Sequence, residues 1–183
     1  MIERTLVILK PDAVKRKLCG KILTIFEEAG FDMVEARFFT PSRELVDRHY
    51  PATKKWLENL GTKERASFAE MGLDIKKIAG TDDPIELGKI IKEQLLDYFT
   101  AGPVFAVILE GNNAVKMARK LVGPTYPSDG APGTIRGRFS LDTPDQAKHE
   151  RRAVANLIHA SGDPEEARYE IELWFGKGSA DVG

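Results

Sequence analysis

One cysteine, Cys19, is all the chain holds, so no disulfide can form within it, and a reducing compartment suits it. Neither charge is in excess: 27 Lys and Arg stand against 28 Asp and Glu, a net charge of -1. That balance gives no global pull toward nucleic acid or an anionic membrane, although it permits a local positive site. No apolar run approaches the roughly 18 residues that cross a bilayer. The N-terminus, Met1-Ile2-Glu3-Arg4-Thr5-Leu6, has no apolar signal core behind a basic start, so a soluble cytoplasmic protein is expected. Several catalytic signatures are missing too. There is no Gly-x-x-x-x-Gly-Lys-Ser/Thr loop, no Gly-x-Gly-x-x-Gly, His-Arg-Asp or Asp-Phe-Gly, and no Gly-x-Ser-x-Gly elbow. The three histidines and the cysteine show no zinc-ligand spacing.

What is present is an ordinary globular balance, 42% hydrophobic and 30% charged over 183 residues, which suits one domain carrying insertions. Thr5-Leu6-Val7-Ile8-Leu9 reads as a buried strand, followed by Pro11 at the first position of a helix. Helical periodicity resumes from Ile22 to Ala29, with Gly20 as the break between pieces and Gly30 as the stop. Met33 to Thr40 alternates as a second strand, and Thr40-Pro41 predicts a capped helix through Tyr50. Residues 51–83 are polar and Lys-rich and read as a surface insertion, part helix and part loop. Asp83-Pro84-Ile85-Glu86 opens a helix to about Thr100. Val104 to Leu109 is a central strand, Gly111-Asn112 a turn, and Ala114 to Val122 a helix.

Residues 123–137 hold four glycines and three prolines and predict an irregular loop. A short exposed helix is expected within 143–155, a strand at Val154 to Ile158, and a capped helix from Asp163 to about Phe175. The tail 176–183 is expected to fray. Two strand-helix-strand units in one small domain imply an α+β sandwich of the split βαβ kind, with helices on one sheet face and the other face free.

Three features carry chemistry. Lys10-Pro11-Asp12 ends a buried strand, where binding groups gather; a surface lysine before a helix start would look the same. Arg119, Thr125 and Arg136 flank a stiff, glycine-rich loop, and the two guanidiniums suit phosphate oxygens; solvated arginines on a rigid loop fit equally. His159, in Asn156-Leu157-Ile158-His159-Ala160-Ser161, stands where an apolar run meets small residues. A neutral imidazole there can attack phosphorus, and Glu170 can fix its tautomer; a structural histidine at a strand end is the competing account. His49 and His149 lie in helix-surface or charged contexts and are read as structural.

Taken together, the stretches Glu3 to Val14, His49-Tyr50, Ala101-Gly102-Pro103, Gly123 to Pro127, Pro132 to Gly137 and Asn156 to Ser161 resemble the nucleoside diphosphate kinase family. They occur in family order and cover roughly 1–50 and 85–175. The resemblance implies a ferredoxin-like βαββαβ sandwich with an antiparallel sheet, spanning 1–176, with insertions at 51–83 and 140–153 and a tail at 177–183. It implies transfer of a γ-phosphate from a nucleoside triphosphate to a nucleoside diphosphate, ping-pong, through a phosphohistidine on His159. Lys10, Tyr50, Ser161 and Glu170 would serve that histidine. Lys10, Arg119, Thr125, Arg136 and Asn156 would hold the nucleotide. The family uses Mg2+ bound through the phosphates rather than a protein cage, and its members are usually hexamers or tetramers.

The chain departs from the family pattern in three places. The Pro-Phe-Phe run after His-Tyr is absent, so counting back from Gly102-Pro103 puts Ile91 at the base-stacking position, with Leu95 one turn on and Trp56 as a substitute. Arg138 stands where an acid is usual, with about ten extra residues before Asn156, and the tail is short. Two other classes stay open: a regulatory nucleotide binder without turnover, and a ferredoxin-like interaction or RNA-binding module, for which exposed aromatics or a basic face would be needed.

Overall fold

A computed structural model describes residues 1–182. The first strand, β1, runs Ile2–Leu9, and Pro11 opens the short helix α1, Pro11–Lys15. The chain reverses at Lys17, which takes a left-handed φ of 58°, and α2 then spans Cys19–Glu28. Gly20 therefore sits inside α2, and the break expected there falls on Lys17 instead. Strand β2 is Asp32–Phe39. Helix α3, Arg43–His49, starts later than Thr40-Pro41 suggested, because Ser42 is its cap and accepts the Leu45 N–H at 3.2 Å.

The 51–83 segment forms two helices, α4 (Lys54–Glu70) and α5 (Ile75–Ala79). Asp83 caps α6, Pro84–Thr100, by accepting the Ile85 and Glu86 N–H groups. Far from lying loosely on the surface, α4 packs along α6: Gly61 faces the Pro84 backbone, Gly88 faces that of Leu57, and Leu57 and Phe68 are buried.

Strand β3, Val104–Asn112, includes the Gly111-Asn112 pair predicted as a turn; both continue the ladder opposite Glu3 and Ile2, and the turn falls at Asn113, φ 52°. Helix α7 is Ala114–Val122. The loop that follows is more ordered than its composition suggested, with a 3-10 turn at Pro127–Asp129 and a short helix α8, Ile135–Phe139, capped by Thr134. Helix α9, Pro144–His149, is less exposed than expected, since Ala147 and Lys148 are buried. Strand β4 is Ile158–Ala160 rather than 154–158, and Asp163 caps α10, Pro164–Phe175.

The sheet order is β2-β3-β1-β4 with every pairing antiparallel, the ferredoxin-like arrangement in which α2 and α7 are the crossovers. Alternation along β1 and β3 feeds two cores. Val7, Leu9, Val107 and Leu109 pack with Ile22, Phe26 and Ala118, while Leu6, Ile8, Ala106 and Ile108 pack with Val46, Phe99, Ile171 and Trp174. Both sheet faces are therefore covered, against the expectation of one free face, and this is why the strands read as continuous apolar runs. The exposed side is the β2 edge. The tail is also held: Arg4 Nη1 donates to the Ser179 carbonyl at 3.0 Å and Ala180 packs on the second core, with Gly183 outside the described residues. Among the described residues no helix is long and apolar enough to cross a membrane.

Candidate active site

Strand β4 pairs with the end of β1, and His159 lies opposite Ile8. Ile158 and Ala160 point into the core beneath α2 and α7, so His159, between them, points to the opposite face. Glu170 of α10 meets it there. His159 Nε2 is 2.9 Å from Glu170 Oε2, and Ser161 Oγ donates to the same oxygen at 2.6 Å. Glu170 Oε1 is 3.4 Å from His49 Nδ1, whose ring stands edge-on to His159 at 4.5 Å between centroids. A carboxylate only accepts, so the proton of a neutral His159 belongs on Nε2, and Nδ1 keeps its lone pair. Burial, reinforced by the Lys10 charge, holds the His159 pKa below its ordinary 6.5, so the ring is neutral at pH 7. Burial likewise lowers His49 to about 3 and raises the Glu170 carboxyl.

Lys10 follows β1 directly. Its Nζ donates to Asn156 Oδ1 at 2.8 Å and lies 5.0 Å from the ring centres of both Tyr98 and Phe99. Burial lowers its pKa to about 7, and neighbouring Arg136 acts in the same direction. The backbone between Asn156 and β4 is strained: Leu157 has φ 69°, a conformation that costs a bulky residue of order 1–3 kcal/mol. It is held by Asp12 Oδ2, which accepts the Leu157 N–H at 3.1 Å, and by the Lys10 N–H, which donates to the Leu157 carbonyl at 2.8 Å. Tyr98 Oη accepts the Asn156 N–H at 3.1 Å. The β1–α1 corner and α6 thus fix the approach to β4.

Arg136, in α8, ties the loops together. Its guanidinium donates to the carbonyls of Asn156 (3.2 Å), Gly123 (3.1 Å), Pro124 (2.9 Å) and Ile158 (2.6 Å). Burial, with Arg119 alongside, lowers its pKa to about 10. Asn156 Nδ2 donates to the Thr125 carbonyl at 2.9 Å, which brings that loop to Lys10. Tyr50 closes α3 with its ring 4.8 Å from His49, and burial, then Glu170, raises its hydroxyl pKa.

The fold therefore gathers Lys10, Tyr50, Arg119, Thr125, Arg136, Asn156, His159, Ser161 and Glu170 from distant stretches. Ile91 lies apart, about two turns along α6 from Tyr98, where it lines a cavity of about 230 Å³. Trp56 stands beside Tyr50, 6.2 Å between centroids, and does not line that cavity. Sequence reasoning missed three residues. His49 is buried against His159 rather than on a helix surface. Asp12 is more than a helix-start acid, since it holds the Leu157 amide. Tyr98 gave no signal beyond an aromatic in an amphipathic helix. Exposed His149 is peripheral, as expected.

A split βαβ sheet that carries a lone-pair imidazole nitrogen among two arginines and a buried lysine is the layout of an enzyme that moves phosphoryl groups through histidine. The family model described as nucleoside diphosphate kinase matches residues 3–59 and 86–180, and the chain belongs to that family. A nucleoside diphosphate kinase from Pyrobaculum aerophilum is 49% identical over 174 residues, covering 95% of each chain, and one from Methanocaldococcus jannaschii is 37% identical over 96% of this chain and 94% of its own. Among solved structures, an NDP kinase from Pyrobaculum aerophilum superposes with a TM-score of 0.94 at 46% identity, covering 98% of this chain and 99% of that one. A Borrelia burgdorferi structure, described as a transition state mimic of nucleoside-diphosphate kinase with bound vanadate and ADP, superposes at 0.75 and 28% identity, over 100% of this chain and 91% of that one. The chain is accordingly a nucleotide-using phosphotransferase.

Proposed function

We propose that His159 Nδ1 is the nucleophile that carries the phosphate between nucleotides. The observation that carries this reading is the 2.9 Å Nε2–Glu170 contact, which occupies one ring nitrogen and frees the other. In the first half-reaction the Nδ1 lone pair forms an N–P bond to the γ-phosphorus. The P–O bond to the β-phosphate breaks, and its electron pair leaves with the diphosphate. In the second, a terminal oxygen of an acceptor diphosphate attacks the same phosphorus and the N–P bond breaks. Glu170 stabilises the charge that develops on the ring, as the acid of a catalytic triad does. Lys10, Arg119 and Arg136 meet the charge on the moving group, and positioning plus charge stabilisation is most of what this chemistry requires. Asn156 and Thr125 set the loop that faces the phosphates, and Ser161 and Tyr50 support the Glu170–His159 pair. The Borrelia relative, described with bound vanadate and ADP, supports use of a nucleotide and a phosphoryl group by this fold.

Mg2+ is the expected cofactor. Among the described residues the one cluster of metal-type ligands is His49, His159 and Glu170, with a single carboxylate, whereas Mg2+ takes oxygen ligands. The cationic residues around the site fit an ion carried in on the nucleotide phosphates, where it neutralises part of their charge. The kinase domain is assigned to 1–176 with inserted segments 51–83 and 140–153; the family model's passing over 60–85 supports the first insertion, while its match runs on through 140–153 and as far as residue 180. A homo-oligomer, hexamer or tetramer, is supported by the unpaired β2 edge, where Met33, Val34 and Phe38 are exposed. Nucleic acid and membranes are not needed for the reaction, and a cytoplasmic location is in keeping with its substrates.

The test is incubation with ATP and Mg2+ followed by intact mass measurement. One acid-labile phosphate is expected on wild type and none on His159→Ala. A wild type that binds ATP yet stays unmodified would leave a regulatory binder in place of an enzyme.

A further inference from the structure

Resting on the reading that nucleotide phosphates sit at Lys10 and His159, we infer that Asp12 and Tyr98 are positioning residues for phosphoryl transfer. Tyr98 fixes the Asn156 that presents Lys10, and Asp12 holds the next amide while supplying negative charge to the same corner. Asn156 is the hub. Its side-chain oxygen accepts from Lys10 Nζ at 2.8 Å, and its side-chain nitrogen donates to the Thr125 carbonyl at 2.9 Å. One residue therefore ties the lysine to the phosphate loop. Its backbone opens a tight turn: the Ile158 N–H donates to the Asn156 carbonyl at 2.8 Å across Leu157, whose φ is 69°. A three-residue turn of that hand is strained and needs holding from outside. The two amides that enter it are each held by a side chain. Tyr98 Oη accepts the Asn156 N–H at 3.1 Å, and Asp12 Oδ2 accepts that of Leu157 at 3.1 Å.

The two holders act on each other. A tyrosine hydroxyl that accepts still has one proton to donate. Burial, then the Asp12 charge and hydrogen bonding to it, raise the Tyr98 hydroxyl pKa. Asp12 Oδ1 is buried with no other hydrogen-bond partner among the described residues, so the carboxylate is open to that proton. Asp12 also acts on Lys10. Burial lowers the lysine pKa to about 7, Arg136 pushes the same way, and Asp12 opposes both. The other groups around Lys10 leave its titration distinct. The guanidiniums of Arg119 and Arg136 stay charged. Burial holds His159 and His49 below their ordinary pKa and Tyr50 and Tyr98 above theirs. Burial raises the Glu170 carboxyl too, but Glu170 acts once its proton is lost, so its limb of a rate profile rises with pH while that of Lys10 falls.

The experiment is rapid-mixing measurement of His159 phosphorylation by ATP with Mg2+ between pH 5 and 9, as a second-order rate constant, in wild type, Asp12→Asn, Asp12→Glu and Tyr98→Phe. The nucleotide's own titration is common to all four. Wild type should lose rate above a midpoint of about 7, as Lys10 gives up its charge. Asp12→Asn keeps an oxygen for the Leu157 N–H but no charge, so its midpoint should fall by roughly half to one pH unit, the scale of one nearby charge. Asp12→Glu keeps the charge and should hold the wild-type midpoint. Tyr98→Phe should leave the midpoint in place and lower the plateau rate roughly tenfold, what one unpaired buried donor costs. A fraction of misfolded chains scales every rate alike and cannot move a midpoint. A wild-type profile with no falling limb, or a midpoint that Asp12→Asn leaves unmoved, overturns the part given to Asp12. A wild-type plateau in Tyr98→Phe overturns the part given to Tyr98, and the phosphohistidine mechanism stands in each case. Absence of phosphorylation in wild type overturns that mechanism, and the positioning pair with it.

Discussion

The backbone of Gly88 in α6 lies directly against the carbonyl of Leu57 in α4, leaving no room for a Cβ between the two helices, and Gly61 repeats the relationship against Pro84. The inserted hairpin is therefore joined to the kinase frame by backbone-to-backbone approach, with Leu57 and Phe68 buried beside it. Gly88→Ala should force the helices apart and lower stability by about 1–3 kcal/mol, the usual range for overpacking. Urea denaturation measures this. A variant as stable as wild type would show that the two helices separate without loss.

Glu170→Gln keeps the shape of the side chain while removing its charge and offering an amide that can donate to Nε2. The ring can then take the other tautomer, with its proton on Nδ1, the nitrogen proposed above as the nucleophile. His159 phosphorylation should slow by roughly 10²- to 10⁴-fold, approaching what the wrong tautomer costs in a serine-protease triad. An unchanged single-turnover rate would remove Glu170 from the mechanism.

Much of this site was legible in the sequence because its chemistry sits on short local patterns. The apolar run ending at Lys10, the loop around Arg136 and the segment Asn156 to Ser161 each mark a candidate group through neighbours in the chain, and the fold brings these groups together. What escaped depends on the third dimension. His49 looks like an ordinary helix residue until α3 is laid against α10, where Trp174 Nε1 is 3.3 Å from its Nδ1. Likewise, helix propensity alone disfavours glycine at 61 and 88, and only the packing of α4 on α6 shows why it stands there. Strand β4 was misplaced by four residues at its start because its apolar lead-in, Val154 to Leu157, is irregular backbone held by side chains from α1 and α6 rather than by a ladder.

Arg136 has a double task, and Arg136→Ala should reveal both. Its guanidinium ties four carbonyls, including those of Gly123 and Ile158, so truncation leaves acceptors unpaired and loosens the loop next to Thr125. On the proposed mechanism it also removes a charge from the transferred phosphate. Turnover should fall by roughly 10²- to 10³-fold, the scale for one charge-stabilising donor. The thermal midpoint should fall as well. A steady-state rate equal to wild type would reduce Arg136 to a loop staple.

Burial places Lys10 at about pKa 7 against an ordinary 10.5, which fixes the sign of two pH effects. Between those values the unfolded chain binds more protons than the folded one, so this residue makes stability rise with pH across that window. The charged form is disfavoured only while no anion is near. A nucleotide phosphate beside Nζ favours the ammonium, so binding at a pH above about 7 must draw a proton from solution. Titration calorimetry at pH 8.5 in two buffers of different ionisation enthalpy should show net proton uptake on ADP binding. At pH 6, where the lysine is already charged, its contribution should vanish. Lys10→Gln should abolish the uptake at pH 8.5 and weaken binding. Identical heats in both buffers for wild type at pH 8.5 would mean that Lys10 carries its charge before the nucleotide arrives, and that its burial among Asn156, Tyr98 and Phe99 does not set its protonation.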